Sequence, residues 1–186
     1  MQGRLLEWNY FNPLRFASSS ASKLEYFGID VDDDGVRAAK LLNTREISQV
    51  TCSQFYPHGD NSQVMAYGCV NSVIGLIDWE ADRTKNKDIV VNPAAKIRKP
   101  CTGVSWNLLN DNLLAASFEK QKGDFCATVW DTNSSQEVTK LAHDEPLSTI
   151  SWIPMQSHLL GLGTPQGWVK IYDVRSNNST SSNNTP

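Results

Sequence analysis

The chain has 186 residues, with 17 Lys and Arg against 20 Asp and Glu for a net charge of −3, and 40% of its residues are apolar. That composition lies outside the disordered class, and its slight acidity excludes a nucleic-acid groove, which needs clustered cations, as the main function. No apolar run approaches the roughly 20 residues of a membrane helix. The opening MQGRLLEWNY has no secretory apolar core, and Gln2 excludes the usual N-myristoylation. The expectation is a soluble, intracellular protein.

In chain order the sequence repeats itself. The first unit reads LLEWNYFNP, RFASSSA and KLEYFGI; the second reads VTCSQFYP, QVMAYGCV and VIGLIDW. The third reads TGVSWN, NLLAASF and FCATVWD, and the fourth STISWIP, HLLGLG and WVKIYDV. The leading aromatics Trp8, Phe55, Trp106 and Trp152 stand 47, 51 and 46 residues apart, and Phe27, Ile77, Trp130 and Tyr172 are the matching points of the third runs. Each run is short, rich in β-branched and aromatic residues, and bounded by Gly, Asn, Asp, Ser or Pro, which is the composition of strands. Only VRAAKLLN, residues 36–43, comes near a helical pattern. Less regular fourth segments follow in KLLNTREISQ, DIVVNPAAKIRK and EVTKLAH.

Three strands and a fourth segment per unit of about 46 residues is the pattern of a β-propeller blade. A β-sandwich also explains evenly spaced strands, but not the recurrence of VWDT and IYDV at one place in the unit. The expected fold is all-β: a WD40-like propeller of about four blades, near 4–48, 49–99, 100–144 and 145–176, with a disordered polar tail at 177–186. A closed ring commonly has about seven blades, so the expectation is about half a propeller. A truncated form is favoured over a fragment whose open flanks need a partner. The structural blade positions are Trp8, Phe55, Trp106, Trp130, Asp131, His143, Trp152, Tyr172 and Asp173. His143 lies nine residues before Trp152, where WD repeats place a histidine. The rest of that repeat's hydrogen-bonded tetrad is missing, because Leu162 and Pro165 stand where Ser and Asp are wanted and Tyr172 replaces Trp. The third blade has Trp130-Asp131, but Ile97 where its histidine belongs. Such degenerate repeats are expected to rest on apolar packing between sheets.

Other candidate chemistry is weak. Asp30-x-Asp32-x-Asp34-Gly35 copies half of a calcium loop, but Leu41 stands where the bidentate Glu is required, so a solvated turn is the expectation. His58 sits in the turn-like YPHGDN, and His143-Asp144-Glu145 has no nucleophile in an elbow context. The glycines of GLGTPQG, residues 161–167, read as strand and hairpin, not a phosphate loop. RTKNK and KIRK, residues 83–87 and 96–99, read as edge or loop cations that discourage stray pairing. Cys52, Cys69, Cys101 and Cys126 lack metal-ligand spacing and read as buried, reduced thiols. No catalytic, cofactor or metal site is expected, and partner-binding residues stay open.

The segment Cys101 to Asp131, CTGVSWNLLNDNLLAASFEKQKGDFCATVWD, resembles the third blade of the Mios (missing oocyte) proteins of the GATOR, or SEA, complex. The matching features are Cys101, Trp106-Asn107, Asn112, Leu114-Ala115-Ala116, Lys120, Asp124-Phe125 and Trp130-Asp131; Leu108 departs from the proline that family favours. The opening is similar to that family's first blade through Trp8, Arg15-Phe16 and the Leu24-to-Phe27 run. The fourth unit fits through Trp152, Pro154, Leu159-Leu160 and Asp173. The resemblance covers about residues 4–176. It implies a non-enzymatic scaffold in amino-acid signalling to TORC1, peripheral at the lysosomal or vacuolar membrane. Implied partners are Seh-type and Sec-type propellers, companion WD-repeat subunits and amino-acid sensor proteins. An unrelated WD-repeat adaptor of a vesicle coat is the alternative, and a calcium-binding or hydrolytic β-sandwich a distant one.

Overall fold

The structure, a computed structural model, describes residues 5–33, 35–47, 49–59, 62–81, 89–92, 99–119, 126–142 and 144–175. The sequence runs become four antiparallel meanders. The first sheet is β1 (Leu6–Trp8), β2 (Arg15–Ser19), β3 (Leu24–Asp32) and β4 (Gly35–Arg45), paired in chain order. The second is β5 (Val50–Phe55), β6 (Val64–Cys69), β7 (Ile74–Asp78) and β8 (Ile89–Asn92). The third is β9 (Cys101–Trp106), β10 (Leu113–Phe118), β11 (Ala127–Asp131) and β12 (Gln136–Leu141); the fourth is β13 (Thr149–Trp152), β14 (Leu159–Gly163) and β15 (Val169–Asp173). VRAAKLLN, the most helix-like stretch, lies in β4, where pairing with β3 overrides its propensity.

Strand register makes the units equivalent. Trp8 pairs with Phe16 and Phe16 with Phe27; Phe55 pairs with Met65 and Met65 with Ile77. The same rows recur as Trp106–Leu114–Trp130 and Trp152–Leu160–Tyr172. One step along, Arg15 faces Gly28, whereas Val64, Leu113 and Leu159 face Asp78, Asp131 and Asp173. Each aspartate closes the next turn by accepting backbone N–H groups. Asp78 takes those of Glu80 and Ala81 at 3.0 and 3.1 Å, and Asp131 those of Asn133 and Ser134 at 2.9 and 3.1 Å. Asp173 takes that of Arg175 at 3.0 Å. Gly28 cannot do this, so β3 runs on to Asp32 and returns as β4. The would-be calcium carboxylates Asp30 and Asp32 are therefore strand residues of a long hairpin, paired with Ala38 and Gly35. Asp34, His143, residues 83–87, 96–98 and 177–186 lie outside the described residues, as do Ile97, Lys120 and Asp124-Phe125 of the motifs above.

Four sheets enclose three apolar layers, which overturns the sandwich alternative: a sandwich has two sheets about one layer. Between the first and second sheets lie Tyr26, Phe55, Met65, Ile77 and Trp79; between the second and third, Leu76, Trp106, Leu114, Phe118 and Trp130. Between the third and fourth lie Val129, Ile150, Trp152, Leu160 and Leu162. Successive residues of a strand point to opposite faces, so neighbours enter different layers. Ala116 packs with Leu114 toward the second sheet, and Ala115 toward the fourth. This two-sided burial explains why VMAYGC, LLAASF and ATVW are continuous apolar runs and not alternating ones. The fold is thus a WD40-like β-propeller of four blades, and the inner strands β1, β5, β9 and β13 pack in succession.

Two-sided burial makes a specific expectation for the fully buried pair Ala115 and Ala116. Ala115→Leu and Ala116→Leu overfill different layers, so each costs about 1–3 kcal/mol in urea unfolding. A cost in only one of the two would put the other face in solvent.

Candidate functional site

The blades are joined by a polar ladder as well as by apolar layers. In each of the first three inner strands the residue before the leading aromatic accepts from the next blade's aromatic residue. The Phe55 backbone N–H donates to the Glu7 carboxylate. The Trp106 N–H donates to Gln54 Oε1 at 2.7 Å, and its indole Nε1–H to the Gln54 carbonyl at 3.3 Å. The Trp152 N–H donates to Ser105 Oγ and its indole to the Ser105 carbonyl, both at 3.1 Å. Side-chain acceptors as different as Glu, Gln and Ser do one job, so position and not residue type carries the signal. These hydrogen bonds add to the apolar packing expected to carry most of the contact between blades. At 47% exposed, Trp8 differs from the buried Phe55, Trp106 and Trp152: its indole donates to Pro13 O in its own turn, and it stacks on Phe16 at 5.2 Å. Ser151, at the next acceptor position, is exposed.

The turn after the inner strand builds the most distinctive surface. Two turns share one five-residue pattern, Trp8-Asn9-Tyr10-Phe11-Asn12 and Trp106-Asn107-Leu108-Leu109-Asn110. In each the first Asn is fully buried. Asn9 Oδ1 accepts from the N–H groups of Phe11 and Asn12, and Asn107 Oδ1 from those of Leu109 and Asn110, at 2.9–3.0 Å. Their amides reach the next blade, Asn9 to Ser62 O at 2.7 Å and Asn107 to Ser157 O at 2.8 Å. With its own turn closed by the Asn, the two residues that follow have no inward route. Tyr10, Phe11, Leu108 and Leu109 are all exposed, Tyr10 by 86%, and Met155 joins them on the fourth blade's turn.

Between the second and third blades the same rim opens into a cleft of about 260 Å³, walled by Tyr56, Val64, Leu76, Trp106, Asp111 and Thr132. Tyr56 links its two sides: the ring meets Trp106 edge-on at 4.9 Å, and the hydroxyl donates to Asp111 O at 3.2 Å. His58, in the turn the sequence assigned it, lies 3.3 Å by Nε2 from Asn107 O. A rim of rigidly held turns with outward apolar side chains is suited to protein contact. None of its residues was marked by sequence reasoning as a contact. The repeated Trp-Asn-apolar-apolar-Asn pattern was the available signal.

The remaining singled-out residues are structural in placement. Trp130 is buried between the second and third blades, and Tyr172 packs against the layer before the fourth. Asp131 and Asp173 hold turns, and the guanidinium fork of Arg175 keeps the Asp173 carboxyl down at about 2. Among the described residues no group of three or more His, Cys, Asp or Glu side chains is placed to hold a metal ion. Among them no helix is long and apolar enough to cross a membrane.

No protein-family model matches the chain. Over 87% of its length it is 23% identical to the GATOR2 complex protein MIOS-A of Xenopus laevis, and over 89% it is 22% identical to MIOS of Dictyostelium discoideum. Protein transport protein Sec31A of Mus musculus is 25% identical over 86% of the chain. The chain spans only 21%, 20% and 13% of these relatives' lengths. A solved structure of the COPII outer coat vertex on membranes superimposes with a TM-score of 0.76 at 19% identity, covering 95% of this chain and 47% of that one. The likeness to Mios proteins that the third blade suggests is borne out, and so is the propeller fold.

Glu7 makes the first rung of the ladder sensitive to pH. Desolvation between the blades raises its carboxyl from 4.5 to about 7, against a smaller opposite pull from the Phe55 N–H. Because the folded state favours the proton, Glu7's contribution is complete below about pH 4.5 and fades as pH climbs to about 7. Glu7→Gln, which copies Gln54 of the next rung, is expected to abolish that decline. Thermal melts at pH 5 and pH 8 should show the variant gaining on the natural chain at the higher pH; parallel losses in both would refute the assignment.

Proposed function

We propose that the chain is part of a non-enzymatic scaffold of the Mios type, serving a GATOR2-like assembly in amino-acid signalling to TORC1 at the lysosomal or vacuolar surface. One observation carries the reading: Mios proteins of four organisms align with it over nearly its whole length. The geometry supports it physically, since the ladder and apolar layers give a stiff body while the rim turns present apolar side chains outward. Its partners in this reading are Seh-type and Sec-type propellers, companion WD-repeat subunits and amino-acid sensor proteins. The half-exposed row Trp8–Phe16–Phe27 is the counterpart of rows buried against a preceding blade elsewhere, and is where a further blade would pack. A second reading, a coat adaptor, is favoured by the Sec31A likeness and the coat-vertex superposition.

Affinity purification of the tagged chain from its own cells separates the two. Recovery of Seh-type and companion WD subunits supports the scaffold reading; recovery of coat components in their place supports the adaptor. Tyr10→Ser combined with Leu109→Ser is expected to lower partner recovery at least tenfold. Both positions are exposed, so urea stability should stay within about 0.5 kcal/mol. Undiminished recovery would remove the rim from the interface.

A further inference from the structure

Two sulfur atoms meet where the second blade packs on the third. Cys52 lies near the start of β5 and Cys101 opens β9, and their Sγ atoms are 3.4 Å apart although the residues are 49 apart in sequence. Local irregularities mark both positions: the β5–β6 register shifts between Val50 and Cys52, and the β9–β10 register shifts beside Phe118, the partner of Cys101. Gly68, paired with Cys52, supplies the room. A Cβ there would overlap Cys101 Sγ and stand 2.8 Å from both Cys101 Cβ and Cys52 Sγ.

The two thiols are unlike. Cys101 is buried, and burial holds its thiol protonated. Cys52 is only partly buried; its sulfur touches Cys101 Sγ, the Thr51 hydroxyl at 3.9 Å and the Gly68 N–H, while the Cys101 thiol also reaches Gly103 O at 3.4 Å. The contact with Cys101, against the opposing effect of burial and with smaller help from Thr51 and Gly68, shifts its thiol below the ordinary value. Two sulfurs in contact across the blade junction, one on a partly buried residue and the other on a fully buried one, are placed as an attacking and a resolving thiol.

We propose that Cys52 and Cys101 form a peroxide-responsive thiol pair that closes into a disulfide fastening the second blade to the third. The Cys52 thiolate attacks hydrogen peroxide, forming an S–O bond and breaking O–O, to give Cys52 sulfenic acid and hydroxide. The Cys101 sulfur then attacks Cys52 sulfur, forming S–S and breaking S–O. The departing hydroxyl leaves as water with the Cys101 proton. Overall two thiols are oxidised, and one peroxide is reduced to two waters. The sulfurs need to close by about 1.4 Å to reach bonding distance. Cys69 is the competing partner, near enough to interact electrostatically with both, and Cys126 lies in another layer and serves as the control.

The test is treatment of the full chain with a small excess of hydrogen peroxide, then alkylation, denaturation and tryptic mapping. Free thiols should fall from four to two, with fragments 46–83 and 99–120 joined and released again by a reductant. Cys69→Ser should keep the link and Cys52→Ser abolish it, while the oxidised natural chain melts several degrees above the reduced one. A link surviving Cys52→Ser, a link lost in Cys69→Ser, or four free thiols in the peroxide-treated natural chain would each overturn the proposal. The last outcome needs no variant to fold.

Discussion

Each middle sheet of this molecule is apolar on both faces, and that constraint dictates the rest. A meander buried on one side could stop at a single partner sheet; one buried on both must be flanked twice, and repeating that demand yields a radial stack. Apolar contact is non-directional, however, and would tolerate sliding of one sheet over the next. The ladder removes that freedom. A backbone N–H on the innermost strand finds its acceptor only when the neighbouring blade is in register, and the indole N–H of Trp106 or Trp152 adds a second point. At these two junctions the pair of donors fixes an orientation as well as a distance.

The same inner strand connects core to surface. Asn9 and Asn107 directly follow the leading aromatics Trp8 and Trp106, spend their carbonyls on their own turns and their amides on the next blade. Left unpaired, those buried amides would each cost about 1–3 kcal/mol. Satisfying them closes the turns and pushes Tyr10, Phe11, Leu108 and Leu109 outward. The apolar rim is thus a by-product of how the blades are tied, presented by the most constrained part of each unit. Where Tyr56 and Ile153 replace the Asn, the tie changes. Tyr56 reaches Asp111 O through its hydroxyl, and the cleft opens at that junction.

Strands, their grouping and the equivalence of the four leading aromatics were legible because period, run length and bounding turn residues are local properties. The pairings of Phe27, Ile77, Trp130 and Tyr172 matched by counting are those the register shows. Residues 36–43 misled because β4 is decided by its long-range pairing with β3, prolonged where Gly28 replaces the turn-closing aspartate. The ladder stayed hidden because Glu7, Gln54 and Ser105 share a function without sharing chemistry. The thiol pair stayed hidden because strand spacing does not say which residues face each other across two blades. His143, read as a blade marker, lies outside the described residues.

This division of labour bears on how so much sequence can change while the fold persists. The relatives match at 19–25% identity, and the coat-vertex structure superimposes at a TM-score of 0.76 with 19%. Half of each rung is backbone, which substitution leaves in place, and the other half accepts any side chain with an acceptor at the right reach. The layers require apolar volume at rows of known register, a demand many residues satisfy. The pair of residues after each Asn is exposed, fixed in position by its turn but not by packing. A scaffold that must acquire partners without losing its shape would vary there. Tyr10-Phe11 and Leu108-Leu109 are thus exposed positions on ordered turns, where chemistry can change without disturbing the layers.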